Sequence, residues 1–250
     1  MPRLVLTDAQ WVAMEPHCLG KAGDRGRSGT DNRLFVEAMR WKARTSSPWR
    51  DLPEMVGTWN VVWRRFDDWC KAGVWERMFE AVSDDSDMEY AMVDATIVPV
   101  HRRGHGAKGG PQRQAAGASK GGWTTKILAL TDALDNLVRF EVLPGHRYDT
   151  IGVALLIKGV EFAVLIADKA FDANWIVQEM DERGAKVVIS QRPQRLAPRV
   201  IDEDIYQWRH LIESFFAKLK ELKAIAMRAG KTDRNFRSMI ALVAAVLRTR

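Results

Sequence analysis

AMVDATIVPV, residues 91–100, is a continuous apolar, β-branched run of the kind that makes a strand buried on both faces. It interrupts a chain that reads as helical up to about residue 82 and as alternating strands and helices afterwards. KILALTD (126–132) and LVRFEVL (137–143) flank the turn formers Asp135 and Asn136 and predict a hairpin. A helical stretch from Thr150 to Gly159, the buried strand FAVLIA (162–167), a helix from Ala173 to Arg183 and the strand KVVIS (186–190) follow. The predicted order is strand, hairpin, helix, strand, helix, strand, helix, which makes this part an α/β domain with a mixed sheet. HRRGHGAKGGPQRQAAGASKGG (101–122), rich in glycine and basic residues, reads as a loop that holds no regular element alone.

The 250 residues and 46% hydrophobic content support a sizeable core. Residues 1–82 contain seven of the ten tryptophans and predict three helices and a short turn. Thr7 and Gln10 form a capping box, Thr30 or Asp31 caps a helix through Arg44, and Thr58 caps one through Lys71. In that last helix Trp59, Val62, Trp63, Phe66, Trp69 and Cys70 share the apolar period, which puts the tryptophans in the core. Asn60, Arg64, Arg65 and Asp68 fall on or near the outer side. A unit of this size with basic helices has the composition of a helix-turn-helix module, and equally of any small bundle. GKAGDRGRSG (20–29) reads as a basic connector, and DDSDME (84–89) as an acidic linker at residues 83–89 before a second domain at 90–250.

Net charge is +6, and its distribution is more informative than its sum. From Tyr206 to Arg250 there are ten Lys or Arg against three acids, and from Ala95 to Thr131 six against none. Two basic surfaces point to a polyanionic partner. Cys18 and Cys70 are the only cysteines, so a disulfide framework and a zinc ribbon lack support and both thiols are expected to be buried. No terminal leader pattern is present and no window approaches the ~18 apolar residues of a membrane span, so a cytoplasmic, nucleoid-associated protein without a membrane partner is expected. GHGAKGG lacks the GK[ST] ending of a phosphate-binding loop, and His101, His105 and His146 lack a metal-ligand spacing.

Chemistry is carried by acids in expensive places. Asp94 lies inside the first apolar strand, where an ionised carboxylate costs several kcal/mol unless compensated. Asp168 follows FAVLIA at the carboxyl end of a strand, where open α/β sheets place their sites. In YQWRHLIESFFAKLK (206–220), Leu211, Ile212, Phe215, Phe216 and Leu219 form one helical face, while Tyr206, Arg209, Glu213 and Lys220 line up opposite. Each acid alone has a structural reading: a strand carboxylate facing a backbone donor, a helix N-cap, a solvated helix residue. Converging over one sheet edge, the three would repel unless magnesium or manganese, which prefer oxygen ligands, neutralised them. A pair of such ions about 4 Å apart suits phosphoryl transfer, with Arg209 and Lys220 as phosphate contacts and Tyr206 as a donor.

The Tyr206, Arg209, Glu213, Lys220 spacing resembles the Tyr, Arg, Glu, Lys signature of DDE transposases in the insertion sequence 4 and insertion sequence 5 groups. VDATIV and ADKAFD are similar to the segments carrying that family's aspartates, and PWRDLPE, GAKGG, GGWTTKI and AMRAGKTDRNF extend the resemblance over nearly the whole chain. It implies a ribonuclease-H-like catalytic domain, a mixed sheet flanked by helices, after a small helical DNA-binding domain. By that resemblance Asp94, Asp168 and Glu213 are the catalytic, metal-binding triad for Mg2+ or Mn2+, with two ions. The implied activity is binding of terminal inverted repeats, cleavage at the element ends and joining of the 3′ hydroxyl to target DNA, by a homodimer on double-stranded DNA. Arg64, Arg65, Arg102, Arg103, Lys108 and Lys120 are further expected DNA contacts, and Trp123 a candidate for base stacking. A nuclease of the same fold and a decayed DNA-binding regulator are the alternatives.

Overall fold

A computed structural model describes residues 6–21, 23–24, 31–83, 86–104 and 106–248. Most of the basic connector, Thr30, His105 and the first two acids of the 84–89 run lie outside the described residues. The helices are α1 (Asp8–Met14), α2 (Asn32–Thr45), α3 (Trp59–Lys71), α4 (Val74–Ser83), α5 (Val153–Ile157), α6 (Asn174–Arg183), α7 (Glu203–Tyr206), α8 (His210–Lys220), α9 (Lys223–Ala226) and α10 (Asp233–Arg248). The strands are β1 (Tyr90–Pro99), β2 (Gly117–Ser119), β3 (Gly122–Thr131), β4 (Leu137–Pro144), β5 (Val164–Ala167) and β6 (Lys186–Ile189). None of the described helices is long and apolar enough to cross a membrane.

Two compact units share the chain without following its order. One holds residues 85–99 and 115–218, the other residues 1–84, 100–114 and 219–250.

The first unit is built on one mixed sheet in the order β2-β3-β1-β5-β6, with β4 also paired to β3. β1 runs antiparallel to β3 and parallel to β5, and β5 runs parallel to β6. This is the mixed sheet expected from the strand pattern, and it agrees with the ribonuclease-H-like fold that the family resemblance implies. The parallel pair β5 and β6 needs a crossover, which α6 supplies. Ala91, Val93, Leu128, Leu130, Leu165 and Ala167 form a buried layer with Val153, Leu156 and Ile157 of α5 and Ile176 and Met180 of α6. Strand alternation therefore turns Met92 and Asp94 to the opposite face. The hairpin turn closes as predicted: Asp135 adopts φ 66° and the Asp132 carboxylate accepts the N–H groups of Leu134 and Asn136, each at 2.9 Å.

Residues 101–122 depart from the loop expectation. β2 forms there because the edge of β3 supplies the partner backbone, pairing Gly117 with Thr124 and Ser119 with Gly122. Gly117 lets the His146 ring lie against this edge, since a Cβ would sit 2.1 Å from His146 Nδ1 and the ring would have to move.

In the second unit the Thr7–Gln10 capping box forms, and Asp31 caps α2 by accepting Leu34 N–H at 2.9 Å. Thr58 precedes α3 but its side chain caps nothing. A fourth helix, α4, follows α3 after Ala72 and Gly73, the glycine at φ +65°. Phe35, Phe66, Trp69 and Trp75 pack with ring centroids 4.8–6.1 Å apart. α10 is buried from Phe236 to Val246 and is tied to α4 where Ser238 Oγ donates to Glu76 Oε1 at 2.7 Å. Cys18 and Cys70 are buried, and burial pushes both thiols up to about 12, so neither is reactive near neutrality.

The tryptophan stripe is only partly core. Trp69 is buried, whereas Trp59 and Trp63 are 37% and 40% exposed. Trp59 lies under the Arg50 guanidinium, 4.9 Å from its ring centroid, in place of a core position.

Candidate active site

Asp94 and Asp168 stand side by side by register. Val93 of β1 pairs with Ala167 of the neighbouring parallel strand β5, and each aspartate is the next residue along its chain. Adjacent strands lie about 4.8 Å apart, so the two carboxylates leave the sheet at one level. Asp94 Oδ1 accepts Ala95 N–H at 2.7 Å. Asp168 caps the 3-10 turn Lys169–Phe171 through Ala170 N–H at 2.8 Å. Each structural bond uses one carboxylate oxygen.

The helix expected over 206–220 begins earlier, at Glu203, where Asp202 caps α7 by accepting Ile205 N–H at 3.1 Å. It passes through the 3-10 turn Gln207–Arg209 into α8. Arg209 is thereby aimed at the sheet: its Nη1 lies 3.3 Å from Asp94 Oδ2, and its Nη2 donates to Glu213 Oε1. One guanidinium thus joins an acid of β1 to an acid of α8. Asp94 is largely buried, Glu213 is exposed.

The charges explain the arrangement. Burial pushes the Asp94 carboxyl up from its usual 3.8 to about 6; the Ala95 N–H opposes this, the nearby Asp168 and Glu213 charges add to it, and Arg209 offsets part. Arg209 is held above its ordinary range even though burial works against its charge, because Glu213, Asp94 and Tyr206 favour the cation. Asp94, Asp168 and Glu213 therefore share one electrostatic neighbourhood. Among the described residues, no three His, Cys, Asp or Glu side chains are gathered closely enough to enclose a metal ion. A cation does stand between two of the three acids, and it is Arg209.

The remaining expected contacts are spread over the surface. Arg64, Arg102, Arg103, Lys108 and Lys120 are exposed, Tyr206 and Trp123 are half-buried, and burial pulls Lys220 below the usual lysine range. Arg65 differs from Arg64: its guanidinium lies 4.3 Å from the Phe35 ring centroid and 5.1 Å from that of Trp69, and it donates to Asn32 Oδ1. Arg65→Ala should lower the urea-unfolding free energy by about 1–2 kcal/mol through lost ring and hydrogen-bond contacts. Arg64→Ala should change it by less than about 0.5 kcal/mol.

Sequence reasoning missed Asp172. Its carboxylate is buried and takes Arg195 and Arg199, the latter at 3.1 Å. The available signal was an aspartate four residues after Asp168 and a run of arginines in QRPQRLAPR.

A family model described as "Transposase DDE domain" matches residues 85–248, and one described as "Putative transposase of IS4/5 family" matches residues 6–79. The chain belongs to the DDE transposases of the IS4/5 type. It is an enzyme of that class, and the class depends on divalent metal. "Putative transposase for insertion sequence element IS6501" of Brucella ovis is 34% identical over 126 residues, 50% of this chain and 97% of that one. "Uncharacterized protein y4sN" of Sinorhizobium fredii is 39% identical over 105 residues, 41% of this chain and 82% of that one. Among solved structures, the piggyBac transposase synaptic complex with hairpin DNA aligns over 98% of this chain and 72% of that one, at 12% identity and TM-score 0.47. The Mos1 strand transfer complex aligns over 80% and 69%, at 13% identity and TM-score 0.32.

Proposed function

We propose that this DDE transposase binds the terminal inverted repeats of its element, cleaves at the ends and joins the freed 3′ hydroxyls to target DNA, acting as a homodimer on DNA. The observation that carries this reading is the shared level of Asp94 and Asp168 on neighbouring strands, with Glu213 brought alongside through Arg209. Asp94, Asp168 and Glu213 would hold Mg2+ or Mn2+, as a pair of ions. The donor set fits, because all three are hard carboxylate oxygens and burial beside two other acids already makes the Asp94 charge costly. Bound there, such ions supply Lewis-acid stabilisation and a nucleophile at neutral pH.

The chain's own groups do the rest. Arg209 neutralises Asp94 and Glu213 together and keeps them facing each other. Tyr206 and Lys220 join it in contacting the DNA backbone. Residues 1–82 read the repeat, Arg64 contributing from the exposed side of α3, and the catalytic domain occupies residues 90–250. Arg102, Arg103, Lys108 and Lys120 contact phosphates and set register without reading sequence. Hydrolysis frees a 3′ hydroxyl, and its attack on a target phosphorus forms one P–O bond as another breaks.

Incubation with an end-labelled terminal-repeat duplex and a plasmid, in magnesium, tests this. Label joined to the plasmid is the expected result. Cut ends without joining would make the protein a nuclease, and binding without cutting a regulator.

A further inference from the structure

β5 and β6 lie side by side and parallel, so whatever follows β6 emerges next to whatever follows β5. Asp168 follows β5; Ser190, whose N–H donates to Ala167 O at 3.2 Å, follows β6. The chain then runs through QRPQRLAPR (191–199), which contains three arginines and no acid. Such a loop at a sheet edge would ordinarily be repelled by its own charge.

Here it is pinned to a single buried carboxylate. Asp172 is 1% exposed at its side chain. Its Oδ1 accepts Arg195 Nη1 and, at 3.1 Å, Arg199 Nη2, and its Oδ2 accepts Arg192 N–H at 3.0 Å. Arg195 Nη2 continues to Asn174 Oδ1 at 2.9 Å. Gln191 closes the loop on itself: its Oε1 accepts Arg199 N–H at 2.6 Å and its Nε2 donates to Arg199 O. Arg192 Nε reaches Lys169 O at 3.4 Å, one residue beyond Asp168. One carboxylate against three arginines leaves the loop positively charged, and fixed beside the candidate catalytic aspartate.

We infer that loop 191–199 is a DNA-phosphate contact of this site and that Asp172 is its positioning residue, holding the arginine-rich loop in a fixed shape beside Asp168. The inference rests on the transposase reading and adds a binding element that the Tyr206, Arg209, Glu213, Lys220 row does not include. Ordering the loop before DNA arrives removes the entropy cost of ordering it on binding.

The test uses the full chain and a duplex carrying the element's terminal repeat. Asp172→Asn removes a negative charge from a basic region, so simple electrostatics predicts tighter DNA binding. Positioning predicts the opposite. Asp172→Asn should bind the duplex about threefold or more weakly at fixed salt. Trypsin should also cut it after Arg195 or Arg199 about tenfold faster, as expected of a released loop. Arg192→Ala, whose side chain stands outside the carboxylate clamp, should reduce the slope of log affinity against log salt by about one. Should Asp172→Asn fail to fold, Gln191→Ala, which removes both bonds from Gln191 to Arg199 without changing the charge of the loop, carries the same two measurements. Parent-like or tighter binding by the clamp variant, or an unchanged salt slope in Arg192→Ala, overturns the inference while leaving the transposase reading in place. A parent that binds no duplex DNA overturns both.

Discussion

Asp94→Ala, Asp168→Ala and Glu213→Ala should each reduce magnesium-dependent cleavage of end DNA by about a thousandfold or more, a loss of about 4 kcal/mol of transition-state stabilisation. Affinity for that DNA should stay within about threefold, because the phosphates are held by basic groups on other parts of the chain. Removing an acid lessens repulsion of DNA, so any change in affinity should be toward tighter binding. The three variants differ in what else they lose. Asp168→Ala also gives up the cap on the turn at Lys169–Phe171, at a cost of about 1 kcal/mol, and must be compared with its parent at a temperature where both are folded. Glu213 is exposed and is ion-paired to Arg209, so Glu213→Ala changes stability little and gives the clearest reading. Initial rates in single turnover decide the matter. A variant retaining a tenth of the parent rate removes that residue from the site.

How much of this was legible depends on how local the cause is. β1 could be read because its apolar, β-branched run is long enough for a strand, and Asp94 stood out inside that run; burial on both faces holds only from Ala91 to Val93, and Ile97 farther along is exposed. The capping box at Thr7 and Gln10 and the turn at Asp135 are settled within four residues of sequence. β2 was not legible, because three residues of a Gly- and Ala-rich segment become a strand only against the edge of β3. Trp59 and Trp63 share the period of the buried Trp69, and periodicity cannot tell that the apolar stripe is wider than the surface that covers it. The chain position of α10 gives no sign that it packs with α4, a helix about 160 residues earlier, through Ser238 and Glu76. At the site, the row of Tyr206, Arg209 and Glu213 was visible in one helix, but the direction in which Arg209 points depends on Asp94, 115 residues away. Asp172 was invisible for that reason: its partners lie 20 to 27 residues on, and nothing local distinguishes a buried clamp from a surface acid.

In chelator at pH 7, Asp94→Asn should be more stable than the parent, which separates a ligand carboxylate from a structural one without measuring catalysis. In the folded protein burial, with Asp168 and Glu213 adding to it, lifts the Asp94 carboxyl from 3.8 to about 6. Between those values the folded state binds more proton than the unfolded chain, so the contribution of this group to stability is full below about pH 3.8 and is lost as the pH rises through about 6. The rise corresponds to at most about 3 kcal/mol at ~1.4 kcal/mol per pH unit, and asparagine, neutral throughout, avoids it. Arg209 loses one partner in the variant but keeps Glu213, so no charge is stranded. The parent-minus-variant difference should therefore grow from near zero at pH 4 to its full value at pH 7, by denaturant titration of both proteins at each pH. Magnesium or manganese should then reverse the order. A cation bound only by the folded parent adds about 4.1 kcal/mol at roughly a thousand times its dissociation constant, more than that deficit, while the variant, lacking one ligand charge, gains much less. A structural Asp94 predicts the contrary on both counts. If the carboxylate serves mainly to accept Ala95 N–H and to pair with Arg209, asparagine should destabilise the protein by about 1–3 kcal/mol at pH 7. Metal should in that case raise both melting curves equally or not at all. A destabilised, metal-indifferent Asp94→Asn would remove Asp94 from the metal site, and with it the reading of the shared strand level as catalytic.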